Sequence, residues 1–308
     1  MKRFLLPLVG LLAGTVLCAQ TPTEDYLRRY NNLVARVGVS GVGVEPLLDK
    51  WAADWPDDTN QLLARFYFCF DRCHTSTIIQ LDQSRYLGRE PILPLTDSLG
   101  VVHNYFEDTE FDDALFAEAE QALDHILGLH DRQLDVHLLK ISALIQYEKG
   151  SPDMALSSLK ALVDRHYQEH PQWEYAGVDL VSEDFFQALI QDQCYTLFRL
   201  GTDASWEAFR SLSEQMLHYR KDAPLFLNNL GSYHFVYKKA YKKALKYYNK
   251  VLKKHPDDIT AIRNCILLAR TQKDLKLEKK YLPMMVQYGE TETDRASAAA
   301  RLEVLSRK

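Results

Sequence analysis

An all-α solenoid carrying one small β-hairpin insertion is the fold this sequence predicts, on three observations. Apolar residues recur at helical spacing in segment after segment, and the segments come as short pairs that cannot each bury a face alone. Glycine is sparse, 13 in 308 residues, while Leu, Ala, Lys, Glu, Asp and Tyr are prominent, which suits helices rather than a sandwich or barrel. Between Arg89 and Asp108 the helical period gives way to two extended arms around a turn.

The chain begins MKRFLLPLVGLLAGTVLCAQ. Lys2 and Arg3 form a charged head, and Phe4 to Val16 an apolar stretch shorter than the roughly 20 residues a membrane helix needs. The pattern predicts a signal peptide, residues 1–19, cut after Ala19, and a soluble product in the periplasm or outside the cell. Cys18 does not read as a lipid anchor, because Leu17 before it is larger than the small residue lipoprotein processing expects. No later segment is long and apolar enough for a membrane span. Losing Lys2 and Arg3 takes the formal charge from −5 to −7 (−5 − 2 = −7), a poor balance for binding nucleic acid. Cys69, Cys73, Cys194 and Cys265 then remain, too few for a disulfide framework in a chain long enough to bury a core. An oxidising compartment permits one bridge, and spacing does not assign it.

The elements follow in order. PTEDYLRRYNNLVARV and VEPLLDKWAADW predict a helix pair, and Asp58, Thr59 and Asn60 offer N-caps for the helix that carries FYFCFDRCH. In the insertion, Ile92-Leu93-Pro94-Leu95 and Val101-Val102-His103-Asn104-Tyr105 flank the turn Asp97-Ser98-Leu99-Gly100. Pro94 has no N–H to give a ladder, so its arm belongs at a sheet edge. FDDALFAEAEQALDHILGL, SEDFFQALIQDQCYTLFRLG and ASWEAFRSLSEQMLHY are amphipathic helices, and ETDRASAAARLEVLS caps the C-terminal end. The expected division is 20–88 for N-terminal helical repeats, 89–108 for the hairpin, 109–222 for degenerate repeats, and 223–308 for C-terminal repeats with the capping helix.

The clearest unit is PLFLNNLGSYHFVYKKAYKKALKYYNKVLKKHPDD, Pro224 to Asp258. Its Leu230-Gly231 early, Ala244 and Tyr248 in the second helix, then Pro256, resemble the tetratricopeptide repeat (TPR). One extra residue stands between Gly231 and Ala244, expected in the turn at Lys238 to Ala240. A second unit, Asp135 to His166, has Ala143 at the small first-helix position, Gly150 in the turn, and Ala155, Leu159 and Leu162 on the packing stripe of the second helix. A third begins ITAIRNCILLARTQKDLKLEKKYL, with Glu278 where small Ala is expected. The whole order resembles secreted TPR proteins of Bacteroidetes-type bacteria. That resemblance implies a TPR-like right-handed superhelix, and a non-catalytic scaffold without cofactor that binds a protein or peptide in a concave groove. It also implies that Asn228, Asn229, Ser232, Phe235, Arg263 and Asn264 line this groove, where Asn side chains offer a peptide backbone both donor and acceptor. The lysine-rich carboxylate clamp of chaperone-binding TPR domains is not reproduced.

Four stretches raise chemistry. Cys69-x-x-x-Cys73-His74 is one residue longer than the haem-attachment motif, and its helical spacing reads as core packing or a local disulfide. His166-Tyr167-Gln168-Glu169-His170 matches the inverted zinc-peptidase motif, making a metal-assisted hydrolase the alternative activity, but Pro171 ends the helix at once and no third ligand is nominated. GVSGVGVEP lacks the Lys-Ser/Thr and strand context of a phosphate loop. Lys238 to Lys254 holds eight lysines, by default a solvated face and otherwise a site for an anionic polymer.

Overall fold

The computed structural model describes residues 22–179 and 181–307. The expected signal peptide, 1–19, lies outside the described residues. Two compact units divide the chain, one formed up to Cys73 and by Asp112–Ile126, the other by His74–Phe111 and the chain from Leu127 onward.

The first unit holds α1 (Pro22–Val37), α2 (Val44–Asp54), α3 (Thr59–Arg72) and most of α4 (Asp113–Leu129). Tyr26 stacks on the buried Trp51 at 5.7 Å, and the Trp51 indole N–H points at Asp58 at 3.3 Å. Asp58 is the N-cap of α3, its carboxylate accepting the Asn60 N–H at 2.8 Å. Phe66 then stacks on Phe70 at 5.4 Å, and Phe70 meets Phe116 in a tilted contact at 6.3 Å. Helix α3 ends at Arg72, so FYFCFDRCH is split: Cys73 is the C-cap, and His74 opens a strand.

The second unit opens with a sheet larger than the expected hairpin. Strands β2 (Leu93–Thr96) and β3 (Val102–Phe111) form that hairpin, with Asp97 accepting the Leu99 and Val101 N–H groups in the turn at 2.8 and 2.9 Å. A third strand, β1 (His74–Leu81), pairs along its whole length antiparallel with Asn104 to Phe111 of β3, giving the order β1-β3-β2. Residues 74–81 therefore leave the helical repeats expected over 20–88. Thr75, Thr77, Ile78 and Ile79 are β-branched and favour the pleated surface. Pro94 sits on the edge strand. Phe106 and Asp108 turn to the packed side, where Asp108 accepts from Tyr86 Oη at 3.0 Å and Lys149 Nζ at 2.9 Å. Gly88 is required there: its φ is +71°, and a Cβ would lie 1.7 Å from the Arg199 carbonyl oxygen.

The rest of the unit is a stack of helices: α5 (Leu134–Glu148), α6 (Asp153–Glu169), α7 (Glu183–Leu200), α8 (Asp203–Tyr219), α9 (Pro224–Ser232), α10 (Tyr241–Lys254), α11 (Ile259–Thr271), α12 (Leu275–Tyr288) and α13 (Glu292–Ser306). From α7 onward each helix packs on the next, so every apolar stripe is covered by a sequence neighbour. A two-residue ladder, β4 (Glu174–Tyr175) with β5 (Val178–Asp179), links α6 to α7. Gly231 lets α9 meet α10, since a Cβ there would lie 2.3 Å from the buried Tyr248 ring.

The extra residue of the clearest repeat is in the helix, not in the turn expected at Lys238 to Ala240. Tyr233–Tyr237 forms a π-helical turn, in which the Lys238 N–H reaches the Tyr233 carbonyl, five residues back, at 3.1 Å. Lys239 then takes a left-handed conformation, and Ala240 N–H closes on His234 at 2.7 Å. Widening one turn leaves Gly231 against Tyr248 and Ala244 buried.

Candidate functional site

In the C-terminal repeats, α9, α11 and α13 are alternate helices of the stack. Sequence placed the binding residues on α9 and α11, and the two helices differ. Helix α9 is packed by α8 and α10 and also by α7 and α11. Its carboxamides fasten those neighbours. Asn229 Nδ2 donates to Gln191 Oε1 at 2.8 Å and Ser213 Oγ at 3.2 Å, while its Oδ1 accepts from Gln191 Nε2 at 3.0 Å. Asn228 Nδ2 donates to Asp258 at 3.1 Å, the residue whose carboxylate caps α11 through the Ala261 N–H. Both Asn are buried, Phe235 belongs to the apolar core, and Ser232 Oγ faces Tyr248 Oη at 3.3 Å. In this structure Asn228 and Asn229 tie neighbouring helices together, and Phe235, in the π-helical turn, packs in the apolar core.

Open space begins on α11. A cleft of about 330 Å³ lies between α11, α12 and α13. Its apolar wall is Ile266, Leu267, Leu282, Met285 and Ala298, with Leu267 51% exposed. Arg263, Arg270, Asp294 and Ser297 form the polar rim. Arg263 is half exposed and approaches Asp294 at 3.6 Å, so of the expected residues it is the one that reaches this cleft; Asn264 is half-buried beside it in sequence.

Glu278 anchors the rim from below. It is 1% exposed, and its carboxylate accepts from Arg270 Nε at 2.7 Å and from Arg301 Nε and Nη2 at 3.0 and 2.8 Å. The Arg301 guanidinium, more than the Arg270 one, holds the acid below its ordinary range despite burial. The sequence signal was present as a departure: an acid at a position that needs a small residue must be neutralised by neighbours. An apolar slot with guanidinium groups on its rim can hold an aliphatic side chain flanked by a carboxylate.

The inverted zinc-peptidase motif is used structurally. Trp173 Nε1 donates to His166 Nδ1 at 3.1 Å, which leaves the proton on Nε2, facing Glu183 at 3.2 Å. His166 also stacks on Phe186 at 3.7 Å, and burial lowers its pKa. Both nitrogens are committed, so neither offers a lone pair to a metal. Glu169 pairs with Arg165, and His170 is the left-handed C-cap of α6. Among the described residues no group of three or more His, Cys, Asp or Glu is placed to hold a metal ion.

The cysteines are equally inward. Cys69 and Cys73 are each 1% exposed, and all four described cysteines are free thiols. Burial pushes Cys69 up to about 12 and Cys73 to about 11. No described helix is long and apolar enough to cross a membrane.

No family model matches this chain, and no curated protein matches it. Among solved structures it is similar to one from a functional characterisation of Pseudomonas aeruginosa pilF, with 10% identity and a TM-score of 0.36 over 90% of this chain and 96% of that one.

Proposed function

We propose that this chain is an exported, non-catalytic TPR-type scaffold that binds a peptide segment of a protein partner in the cleft between α11 and α13. The observation that carries the reading is the half-exposed Leu267 in an apolar slot beside the Arg263 guanidinium. Large apolar side chains left open next to a fixed charge mark a contact surface rather than a core. The ligand chemistry that matches is an aliphatic side chain next to an Asp, a Glu or a terminal carboxylate. Its place of action, in this reading, is the periplasm or the cell exterior.

Selection of a displayed random-peptide library on the immobilised protein tests this. Wild type should enrich aliphatic–acidic sequences, and Leu267→Glu and Arg263→Glu should each abolish that enrichment while the thermal melt is unchanged. The same enriched set on all three proteins would move the binding site away from the cleft.

A further inference from the structure

The outward sides of α10 and α12 carry a second surface. Helix α10 reads YKKALKYYNKVLKK: Ala244, Tyr248, Val251 and Leu252 are buried, and Lys242, Lys246 and Lys253 are exposed. Spacings of four and seven residues put these three on one face. Helix α12 exposes Lys276, Lys279 and Lys280. Helix α11 packs against both, and α12 reaches α10 directly where Tyr281 Oη donates to Asn249 Oδ1 at 2.7 Å.

What sets the pair apart is the missing opposite sign. Along α10 there is no acid at all, and the single acid of α12, Glu278, is buried and turned away onto Arg270 and Arg301. An ordinary solvated face interleaves both charges. Neighbouring lysines are paired: Lys238, before α10, with Glu207 at 2.9 Å, and Lys250 and Lys254 of α10 with Asp222 at 3.6 and 2.7 Å. Lys242, Lys246, Lys253, Lys276 and Lys279 make no ion pair among the described residues. A chain of formal charge −5 thus concentrates unpaired positive charge on two helices linked through Tyr281 and Asn249.

We infer that this face docks on an anionic lipid surface, with Lys242, Lys246 and Lys253 of α10 and Lys276, Lys279 and Lys280 of α12 against the phosphate head groups. The choice of side chain and its layout favour a lipid surface. Every cation is lysine, a hydrated point charge on a flexible stem, whereas docking of one defined phosphate favours the rigid fork of arginine. The charges also spread across two helices rather than along one line. That layout matches a two-dimensional field of head groups better than a single polymer strand, and lysine clusters on amphipathic helices draw proteins to anionic leaflets.

Vesicle co-sedimentation of the full chain tests it, with phosphatidylcholine alone and with added phosphatidylglycerol. Wild type should bind the anionic vesicles in excess of the neutral ones, and the excess should vanish at high salt. Any contribution from residues 1–16, including the charge of Lys2 and Arg3, is common to every variant, so the comparison between variants isolates the helix lysines. Lys242→Glu/Lys246→Glu/Lys253→Glu should weaken the anionic-specific binding at least about a hundredfold, and the matching Lys→Arg triple should retain it. Should that reversal fail to fold, Lys276→Glu/Lys279→Glu/Lys280→Glu reports on the same face. Equal binding to both vesicle types, or reversal variants that bind like wild type, would overturn the inference. So would retention on heparin that the reversals abolish without any phosphatidylglycerol dependence, which would assign the face to a polyanionic chain.

Discussion

Glu278 and Arg301 form a two-pronged ion pair, at 3.0 and 2.8 Å, that joins the last repeat to the capping helix. The acid is buried and both of its arginines reach water, so the two partners should not cost the same to remove. Glu278→Ala leaves guanidinium groups that rehydrate. Arg301→Ala leaves a buried carboxylate with half its neutralisation and should cost more, about 1–3 kcal/mol in urea unfolding after allowance for solvent screening. Because the folded-state pKa is lowered, this contribution is complete above the ordinary glutamate value of 4.5 and drains away as pH falls through the folded pKa. Equal costs for the two variants at neutral pH would contradict the account.

The contact between Gly231 and Tyr248 makes a sharper prediction. A Cβ at 231 would stand 2.3 Å from Cε1 of a ring that is itself completely buried. Gly231→Ala should therefore destabilise by about 1–3 kcal/mol, although alanine is the better helix former. Tyr248→Leu in the same background should recover part of the loss. A Gly231→Ala protein as stable as wild type would mean that α9 and α10 are not held this closely.

Those two contacts also mark how far the sequence reaches. Leu230-Gly231, Ala244 and Pro256 announce a close helix pair because the constraint is local, and the turn Asp97 to Gly100 is legible for the same reason. Strand β1 was hidden because its β-branched run follows the end of α3 with no Gly or Pro to mark the change. The π-helical turn was hidden because an inserted residue reads identically whether a helix or a turn absorbs it. The hydrogen bonds of Asn228 and Asn229 were hidden for a different reason. Their partners Asp258 and Gln191 lie 30 and 38 residues away, and only the stacking decides that they face neighbours instead of solvent. Of the cleft, Arg263 was legible, while Leu267, Met285 and Ala298 come together from three helices.

Three histidines predict acid sensitivity above the carboxylate range. Burial lowers the pKa of His137, His166 and His234 below 6.5, and for His166 it outweighs the opposing pull of Glu183. Below pH 6.5 the unfolded chain therefore takes up protons that the folded chain refuses, and stability falls with pH. The melting temperature should drop between neutral pH and about pH 5.5. His234→Phe should reduce that slope without lowering the neutral-pH value, since the buried His234 Nδ1 has no hydrogen-bond partner to lose. A melting temperature independent of pH over this range would remove the argument.

The cysteines of FYFCFDRCH supply the last prediction. Haem attachment would need both thiols open to a ligand, but Cys69 lies inside the α3 core, and Cys73 is buried with its thiol directed at the Phe70 carbonyl at 3.2 Å. A thiol reacts as its thiolate, and burial holds Cys69 near 12 and Cys73 near 11, so almost none is ionised at mildly alkaline pH. Alkylation of both in the folded protein should be at least about a hundredfold slower than in the urea-unfolded chain. After unfolding without reductant, both should label fully, because they are free thiols. Rapid labelling of the native protein would place them at a surface. Failure to label after unfolding would instead reveal a Cys69–Cys73 disulfide, so the one measurement separates a reactive site, a local bridge and a packed helix end.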